Sequence, residues 1–372
     1  MGFNGFREKR KDAPRSGGVF LYPRMKLFLE NGAVCEGMSF GAKVSGEGEA
    51  VFNTGMVGYP ETLTDPSYAG QILVLTYPLV GNYGVPSQAT WESQKIQVAG
   101  LVVSEYSEHY SHASAKESLS EWLIHSSVPA MTGVDTRAIT KVLRERGVML
   151  GRLSYDGTKG KFFDPNKENL VAKVSPVKKK TYGNGKKTII AVDCGMKENI
   201  VRSLAVDGVQ VVRVPWDYDF STEHYDGLFI SNGPGDPERC TATIGNLKKA
   251  MRKNKPILGI CLGTQLLALA AGGTTYKLKY GHRSQNQPCS VQGGKKRTYI
   301  TSQNHGFAVD ADSLPKEWKV WFTNVNDGSV EGIRHETKPW RAVQFHPEAA
   351  PGPTDTAWIF EDFLDEVRGG KP

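Results

Sequence analysis

The sequence predicts a two-part α/β protein, with a β-rich mixed N-terminal domain followed by an α/β domain built on a mostly parallel central sheet. Three observations predict it. Short apolar runs separated by Gly, Pro, Asn and Asp fill the first half, a lysine-rich segment follows, and apolar strands then alternate with helices. A chain of 372 residues, 39% of them apolar, can bury two cores.

The N-terminal domain is expected over residues 25–174, after a basic tail over residues 1–24 that we expect to be disordered. The predicted strands include residues 25–29, 50–53, 71–77 and 100–104. Two helices are predicted at 115–126 and 136–146. Asp135 is suited to be the N-cap of the second helix and Gly147 its C-terminal stop.

Residues 175–187 resemble a domain linker, because they combine a proline and two glycines with lysines and almost nothing to bury. The second domain then covers residues 188–372. Its predicted strands are 188–193, 209–214, 227–231 and 256–260, and its predicted helices start at 197 or cover 241–252 and 264–271. Nearly continuous apolar strands indicate a parallel sheet covered by helices, with a site at the carboxyl ends of the strands.

Composition narrows the function. The net charge of +7 comes from the basic tail and from the six lysines within residues 173–187, which is typical of solvated segments, so no nucleic-acid partner is expected. Five scattered cysteines without a Cys-x-x-Cys pair predict neither disulfides nor a metal site. The chain lacks a run of about 20 apolar residues, so no membrane partner is expected. A cytoplasmic location is predicted, and a mitochondrial presequence in the tail is the alternative.

The segment around Cys261 is typical of a nucleophile elbow. Gly259 and Gly263 flank the cysteine between a buried strand and an apolar helix, which permits a sharp turn. The start of the helix stabilises a thiolate through its dipole and its free N–H groups. An isolated cysteine is more often an inert buried thiol, but this setting predicts a nucleophile.

A thiolate enzyme also needs a base and a residue that orients it, and His346 and Glu348 can supply both. On its own, His-Pro-Glu is more often a turn than a catalytic pair. An oxyanion needs N–H donors, and the glycine-rich turn at residues 231–237 and the N–H of Leu262 are the candidates.

Together these elements resemble the class I, or triad, glutamine amidotransferases. Residues 52–70 (FNTGMVGYPETLTDPSYAG), 76–84 and 133–137 further resemble the small subunit of carbamoyl phosphate synthetases, so that the likeness covers roughly residues 25–368. The resemblance implies a catalytic triad of Cys261, His346 and Glu348. It also implies a glutamine site between the domains, formed by Ser67, Gly233, Gly235, Leu262, Gln265, Asn304, Gly306 and Phe307. Without it, residues 304–307 would be interpreted as a turn.

The resemblance further implies a glutamine-hydrolysing carbamoyl phosphate synthetase component that passes ammonia through an interior tunnel to a large subunit or to fused synthetase domains. The chain itself needs no cofactor, and ATP with Mg or Mn belongs to that partner, because no P-loop pattern is present. Whether the product serves pyrimidine or arginine synthesis stays open, as does a separate or a fused synthetase.

The sequence departs from the family pattern at two places. Thr264 stands where many relatives have histidine, and residues 281–288 resemble the eukaryotic rather than the bacterial version of that loop. Ammonia-dependent relatives lose the nucleophile, which is present here.

Two other functions fit parts of the sequence. One is an amidotransferase that serves another synthase, but the N-terminal domain argues against it. The other is a regulatory subunit without turnover, but an intact triad argues against it.

Overall fold

The computed structural model describes residues 22–293 and 297–370. The tail predicted over residues 1–24 therefore lies, as far as residue 21, outside the described residues. In the part of the chain that the structure describes, no helix combines the length and apolar character needed to span a membrane.

The N-terminal half is built on a closed barrel of seven strands, in the order β1-β11-β3-β4-β7-β10-β2. The strands of this half are β1 (Arg24–Leu29), β2 (Val34–Ser39), β3 (Gly46–Asn53), β4 (Gln71–Leu75), β5 (Leu79–Val80), β6 (Val85–Pro86), β7 (Gly100–Val102), β8 (Glu105–Tyr106), β9 (Ala115–Glu117), β10 (Ala130–Thr132) and β11 (Met149–Ser154). The helices are α1 (Tyr59–Thr64), α2 (Leu119–His125), α3 (Thr136–Arg146) and α4 (Leu170–Val174). The β-rich character predicted for this half is confirmed.

The two helices predicted here differ in how well their bounds agree with the structure. α3 spans the predicted residues, and Asp135 caps it by accepting the N–H of Ala138 at 2.8 Å. The helix predicted from residue 115 begins only at Leu119, because Ser118 is its N-cap and forms a capping box with Glu121. The residues before the cap form β9, which pairs with β6.

The C-terminal half is built on one ten-stranded sheet, in the order β12-β14-β13-β15-β16-β21-β20-β19-β17-β18. Its strands are β12 (Lys180–Tyr182), β13 (Lys187–Asp193), β14 (Val209–Pro215), β15 (Gly227–Ile230), β16 (Ile257–Ile260), β17 (Thr275–Val291), β18 (Thr298–Val309), β19 (Trp318–Asn324), β20 (Val330–His335) and β21 (Trp340–Val343). Its helices are α5 (Glu198–Leu204), α6 (Thr241–Ala250), α7 (Leu262–Ala271) and α8 (Trp358–Arg368). The α/β class is confirmed. The five strands β14, β13, β15, β16 and β21 are parallel, and an antiparallel extension continues the sheet beyond β21.

The segment predicted as a linker is partly ordered into the sheet. Lys180–Tyr182 forms the edge strand β12, which pairs antiparallel with β14. Before it, the Ser175 hydroxyl donates to the Asp193 carbonyl at 2.6 Å and accepts the N–H of Trp216 at 3.0 Å. The composition of this segment does not indicate a strand, because an edge strand exposes most of its side chains and tolerates lysine.

Glycines bring α7 close to the sheet and so position the cysteine before it. A Cβ on Gly263 would lie 2.3 Å from the Ile230 carbonyl oxygen, and one on Gly259 would lie 2.7 Å from the Gly263 carbonyl oxygen. The first turn of α7 therefore rests directly on the carboxyl end of β15. Only a residue without a side chain permits this approach.

Gly263→Ala should lower the free energy of unfolding by about 1–3 kcal/mol, because the new methyl group must push α7 away from β15. Gly245→Ala is the matched control, since Gly245 lies in α6 with nothing within 4 Å of its Cβ position. This control should leave stability unchanged or raise it by up to about 1 kcal/mol. Urea denaturation of both variants measures the difference, and equal stabilities would refute the packing argument.

Candidate active site

Cys261 sits at a strained turn between β16 and α7. Its backbone has φ 55° and ψ −104°, which is unusual for a residue with a side chain, and its N–H donates to the Val343 carbonyl at 2.8 Å. The side chain is buried, and its sulfur lies 3.7 Å from the carbonyl oxygen of Asn304. The turn thus holds the thiol at the start of α7, at the carboxyl end of the parallel strands.

His346 and Glu348 form a buried hydrogen-bonded pair beside this thiol. The Nδ1 atom of His346 lies 2.6 Å from Oε1 of Glu348, and the N–H of His346 donates to the Ser302 carbonyl at 2.8 Å. Among the described residues, Nε2 of His346 has no hydrogen-bond partner. With Nδ1 held by the carboxylate, Nε2 is the atom free to exchange a proton with the thiol.

The charges of this pair stabilise each other. Burial alone would lower the pKa of His346, but the Glu348 carboxylate and the nearby Cys261 sulfur outweigh it and raise that pKa to about 10. Burial would raise the pKa of Glu348, but Lys197 and His346 outweigh it and lower that pKa to about 2. The site therefore favours an imidazolium held against the Glu348 carboxylate.

Lys197 is a further member of the site that the sequence did not reveal. It is almost fully buried at the start of α5, and its Nζ lies 3.1 Å from Oε1 of Glu348 and donates to the Ala349 carbonyl at 2.5 Å. Burial lowers its pKa, but the carboxylates around it, Glu348 first among them, raise it overall. A single lysine at the start of a helix is typical of an exposed position, so the neighbouring sequence does not indicate that Lys197 belongs to the site.

The barrel half supplies Glu92 to the same charge cluster. This buried side chain accepts the N–H of Asn199 at 3.1 Å and lies 3.5 Å from Arg202, while its carbonyl accepts the N–H of Glu198 at 2.9 Å. Burial raises the pKa of Glu92 to about 7, against the opposing effect of Lys197. The start of α5 is therefore attached to the barrel half.

Seven of the eight predicted glutamine-site residues line one cavity with Cys261. It encloses about 400 Å³, and these seven are Ser67, Gly233, Gly235, Gln265, Asn304, Gly306 and Phe307. Leu262 does not line it. Its side chain packs near Gly233, and its N–H lies in the first turn of α7.

Both halves of the chain build this cavity. The Asn232 amide donates to the Ser67 hydroxyl at 2.9 Å, and the Asn304 amide donates to Oδ2 of Asp65 at 3.0 Å. The Gln265 amide donates to the Phe307 carbonyl at 2.9 Å. Residues 304–307, which the residues alone suggested to be a turn, belong to the long strand β18. That interpretation was wrong because the polar and glycine residues there face a cavity rather than solvent.

The cavity also contains polar residues for which no role was predicted. These are Glu49, Gln71, Asn166, Arg283 and His305. The first three lie in the N-terminal half, outside the segments on which the family resemblance was based. Arg283 lies in the segment 281–288 that departs from the bacterial pattern, and that departure was the one available signal. The structure places this segment in the strand β17 and not in a loop, because it pairs with β18.

One cluster among the described residues has the composition of a metal site. His282, His305 and Glu331 are buried, with candidate ligand atoms within 4.8 Å of one another. His282 contacts Oε1 of Glu331 at 3.1 Å and Oδ2 of Asp327 at 2.8 Å, and Nδ1 of His305 contacts the Phe307 carbonyl at 2.9 Å. These hydrogen bonds give the imidazoles partners without an ion, and they support β18 behind the cavity.

Comparison with known proteins agrees with this geometry. Residues 190–366 match the family described as glutamine amidotransferase class-I, and residues 27–153 match the family described as carbamoyl-phosphate synthase small chain, CPSase domain. Together the two matches cover most of the chain. The amidotransferase match contains all three of Cys261, His346 and Glu348.

The chain is also similar to much longer proteins. It is 53% identical over 359 residues to the multifunctional protein CAD of Squalus acanthias, covering 93% of this chain and 16% of that protein. It is 48% identical over 375 residues to the multifunctional protein pyr1-3 of Dictyostelium discoideum, covering 92% and 17%. It is 45% identical over 387 residues to the carbamoyl-phosphate synthase (ammonia), mitochondrial, of Mus musculus, covering 100% and 26%. The chain thus spans 16% of the length of CAD, 17% of that of pyr1-3 and 26% of that of the mitochondrial synthase.

Residues 190–366 therefore belong to the class-I glutamine amidotransferases. Because a small-chain domain precedes them, the chain corresponds to the carbamoyl-phosphate synthase small chains and to the equivalent segments of fused synthetases.

Lys197→Met should lower the free energy of unfolding by about 3–5 kcal/mol, because it leaves the buried Glu348 carboxylate short of a cation. The low pKa of Glu348 contributes stability that is present above its unfolded value of 4.5 and lost as pH falls towards 2. Without Lys197 that pKa rises towards the unfolded value, so Glu348 contributes less stability and the loss of stability on acidification should be smaller. Thermal unfolding followed from pH 3 to pH 8 measures both effects.

Lys249→Met is the matched control, since Lys249 is half exposed and pairs on the surface with Asp219. It should leave stability and its pH dependence near those of the wild-type chain. If the two variants behaved alike, Lys197 would have no special part in holding Glu348 ionised.

Proposed function

We propose that this chain is the glutaminase component of a carbamoyl phosphate synthetase, hydrolysing L-glutamine to glutamate and ammonia. The observation that carries the proposal is the buried arrangement of Cys261, His346 and Glu348 at the edge of a cavity shared with the small-chain domain. An amidotransferase that serves another synthase would not need that domain. A regulatory subunit without turnover would not need a thiol, a base and an orienting carboxylate next to one another.

The chemistry follows from the positions of these groups. The Cys261 thiolate attacks the amide carbon of glutamine, and the resulting oxyanion is met by N–H groups of Leu262 and of the glycine-rich turn at Gly233. His346 then gives its Nε2 proton to the departing nitrogen, releasing ammonia and leaving a thioester. Next it removes a proton from water, which attacks the thioester and frees glutamate. Glu348 keeps the imidazole oriented throughout.

Ammonia needs an exit that avoids bulk water, where it would be protonated. A cavity of about 300 Å³ touches His346 and Lys197. A neighbouring cavity of about 340 Å³ shares Asn53, Thr62 and Gln285 with it and reaches Met56 and Val57. Met56 is 65% exposed and Val57 61% exposed, so the second cavity opens at an apolar surface. We propose this route for ammonia, with the synthetase docked over its mouth.

The synthetase itself lies outside this chain. ATP and its Mg or Mn ions belong to that partner, whether it is a large subunit or a set of fused domains. The lengths of the relatives favour the fused form, since CAD and pyr1-3 continue far beyond the segment that this chain matches. The cytoplasmic location stays a prediction, because the relatives include an enzyme described as mitochondrial.

Cys261→Ser should lower glutamate release from glutamine by at least about 1,000-fold, because a serine hydroxyl is not ionised at neutral pH. In the complete synthetase, the same variant should keep carbamoyl phosphate synthesis from added ammonia. Cys35→Ser is the control, since Cys35 lies in β2, far from the cavity, and should retain full activity. A coupled glutamate assay measures both variants, and undiminished glutamate release by Cys261→Ser would refute the proposed nucleophile.

A further inference from the structure

Arg283 brings a positive charge into the cavity that contains Cys261, and no described carboxylate lies within ion-pair distance of it. Its side chain is 4% exposed. Across residues 22–293 and 297–370, no ion pair involves its guanidinium, and its Nε has no hydrogen-bond partner. One hydrogen bond holds it, from Nη1 to the Tyr280 carbonyl at 2.9 Å. Burial accordingly lowers the pKa of Arg283, although Glu49 and Cys261 act in the opposite direction.

An unpaired buried cation is costly, so its presence requires an explanation. A buried charge without a partner destabilises a fold by several kcal/mol, and proteins normally pair such charges or leave them in water. The other buried cation of this site, Lys197, contacts Glu348 at 3.1 Å. Arg283 differs from it because no described carboxylate forms an ion pair with it.

The backbone around the guanidinium keeps it directed at the cavity. Arg283 lies on β17 and pairs with Asn304 on β18. A Cβ on Gly306 would lie 3.3 Å from Nη2, and one on Gly281 would lie 2.5 Å from Nη1. Both glycines therefore leave the room that the guanidinium occupies. Gly306 lines the same cavity, so Nη2 lies beside the space available to a substrate.

We propose that Arg283 binds the α-carboxylate of glutamine and so selects amides that carry this anion. The inference rests on the function proposed above and names the group that recognises the substrate's charged end. A guanidinium and a carboxylate form charge-assisted, often bidentate, hydrogen bonds. The substrate thus supplies an anion that pairs directly with Arg283, and the cost of the buried cation is offset only when the correct ligand is bound.

The opposite charge of the substrate has acceptors in the same cavity. Oε1 of Gln71 is buried and has no partner among the described residues, and the Glu49 carboxylate also lines the cavity. Glu49 already pairs with Lys277, so Gln71 is the acceptor that remains open for the α-ammonium group. A zwitterion therefore finds a free donor and a free acceptor at this end of the cavity, while the side-chain amide reaches Cys261.

The test compares Arg283→Gln with the wild-type chain on two amides, L-glutamine and 4-aminobutanamide, which lacks the α-carboxylate. For glutamine, kcat/KM should fall by about 10- to 100-fold, mainly through a higher KM, as expected for the loss of a charged hydrogen bond. For 4-aminobutanamide it should change less than about 2-fold. Arg283→Lys should recover part of the loss, because it restores the charge without the planar donor pair. Arg239→Gln, at an exposed arginine, is the matched control.

Two further measurements separate substrate binding from other roles. In the Cys261→Ser background, glutamine should raise the melting temperature when Arg283 is present and fail to do so with Arg283→Gln. Without ligand, Arg283→Gln should melt at the same temperature as its parent or higher, since an unpaired charge has been removed. A structural role predicts the reverse.

Several results would overturn the inference. One is an unchanged KM for glutamine in Arg283→Gln, and another is an equal loss on both amides. A third is slower alkylation of Cys261 by iodoacetamide with its pH profile moved upwards, which would make Arg283 a stabiliser of the thiolate. If the wild-type chain released no glutamate at all, the proposed function would fail instead.

Discussion

The structure depends on one buried set of charges, in which Glu348 lies between the imidazole of His346 and the ammonium of Lys197. The charged form of each group would be unfavourable if it were buried alone, and the other two groups stabilise it. Lys197 in turn lies near Glu92 of the barrel half. The protonation of His346, the proposed catalytic base, is thereby linked to the contact between the two halves of the chain.

Strain and close packing play the complementary part for the nucleophile. Cys261 adopts an unfavourable backbone conformation, and its surroundings enforce it through the hydrogen bond to Val343 and the contact of Gly263 with Ile230. The cysteine is thus held by short-range packing, whereas the base is held by charge. Two different physical devices therefore meet at one point.

Sequence reasoning was successful where chemistry is encoded locally. The elbow at Cys261, the His346–Glu348 pair and the helix after Asp135 are short patterns whose residues act on near neighbours. It failed where a residue acts across the chain. Lys197 and Glu92 look like surface charges, and only the fold brings them together. The edge strand Lys180–Tyr182 was hidden for a related reason, since its partner β14, rather than its own composition, makes it a strand. The family resemblance, not the residues themselves, indicated the role of positions 304–307.

The hydrogen bonds of Asn232 to Ser67 and of Asn304 to Asp65 have a consequence for how such proteins can be divided. The amidotransferase family match covers only the C-terminal half, but residues of both halves line the cavity that contains Cys261. Copying residues 190–366 into another protein would transfer the proposed nucleophile and base but leave out the part of the cavity wall that the barrel half forms. Any new host would have to provide its own serine and aspartate there, so the barrel half forms part of the proposed active site.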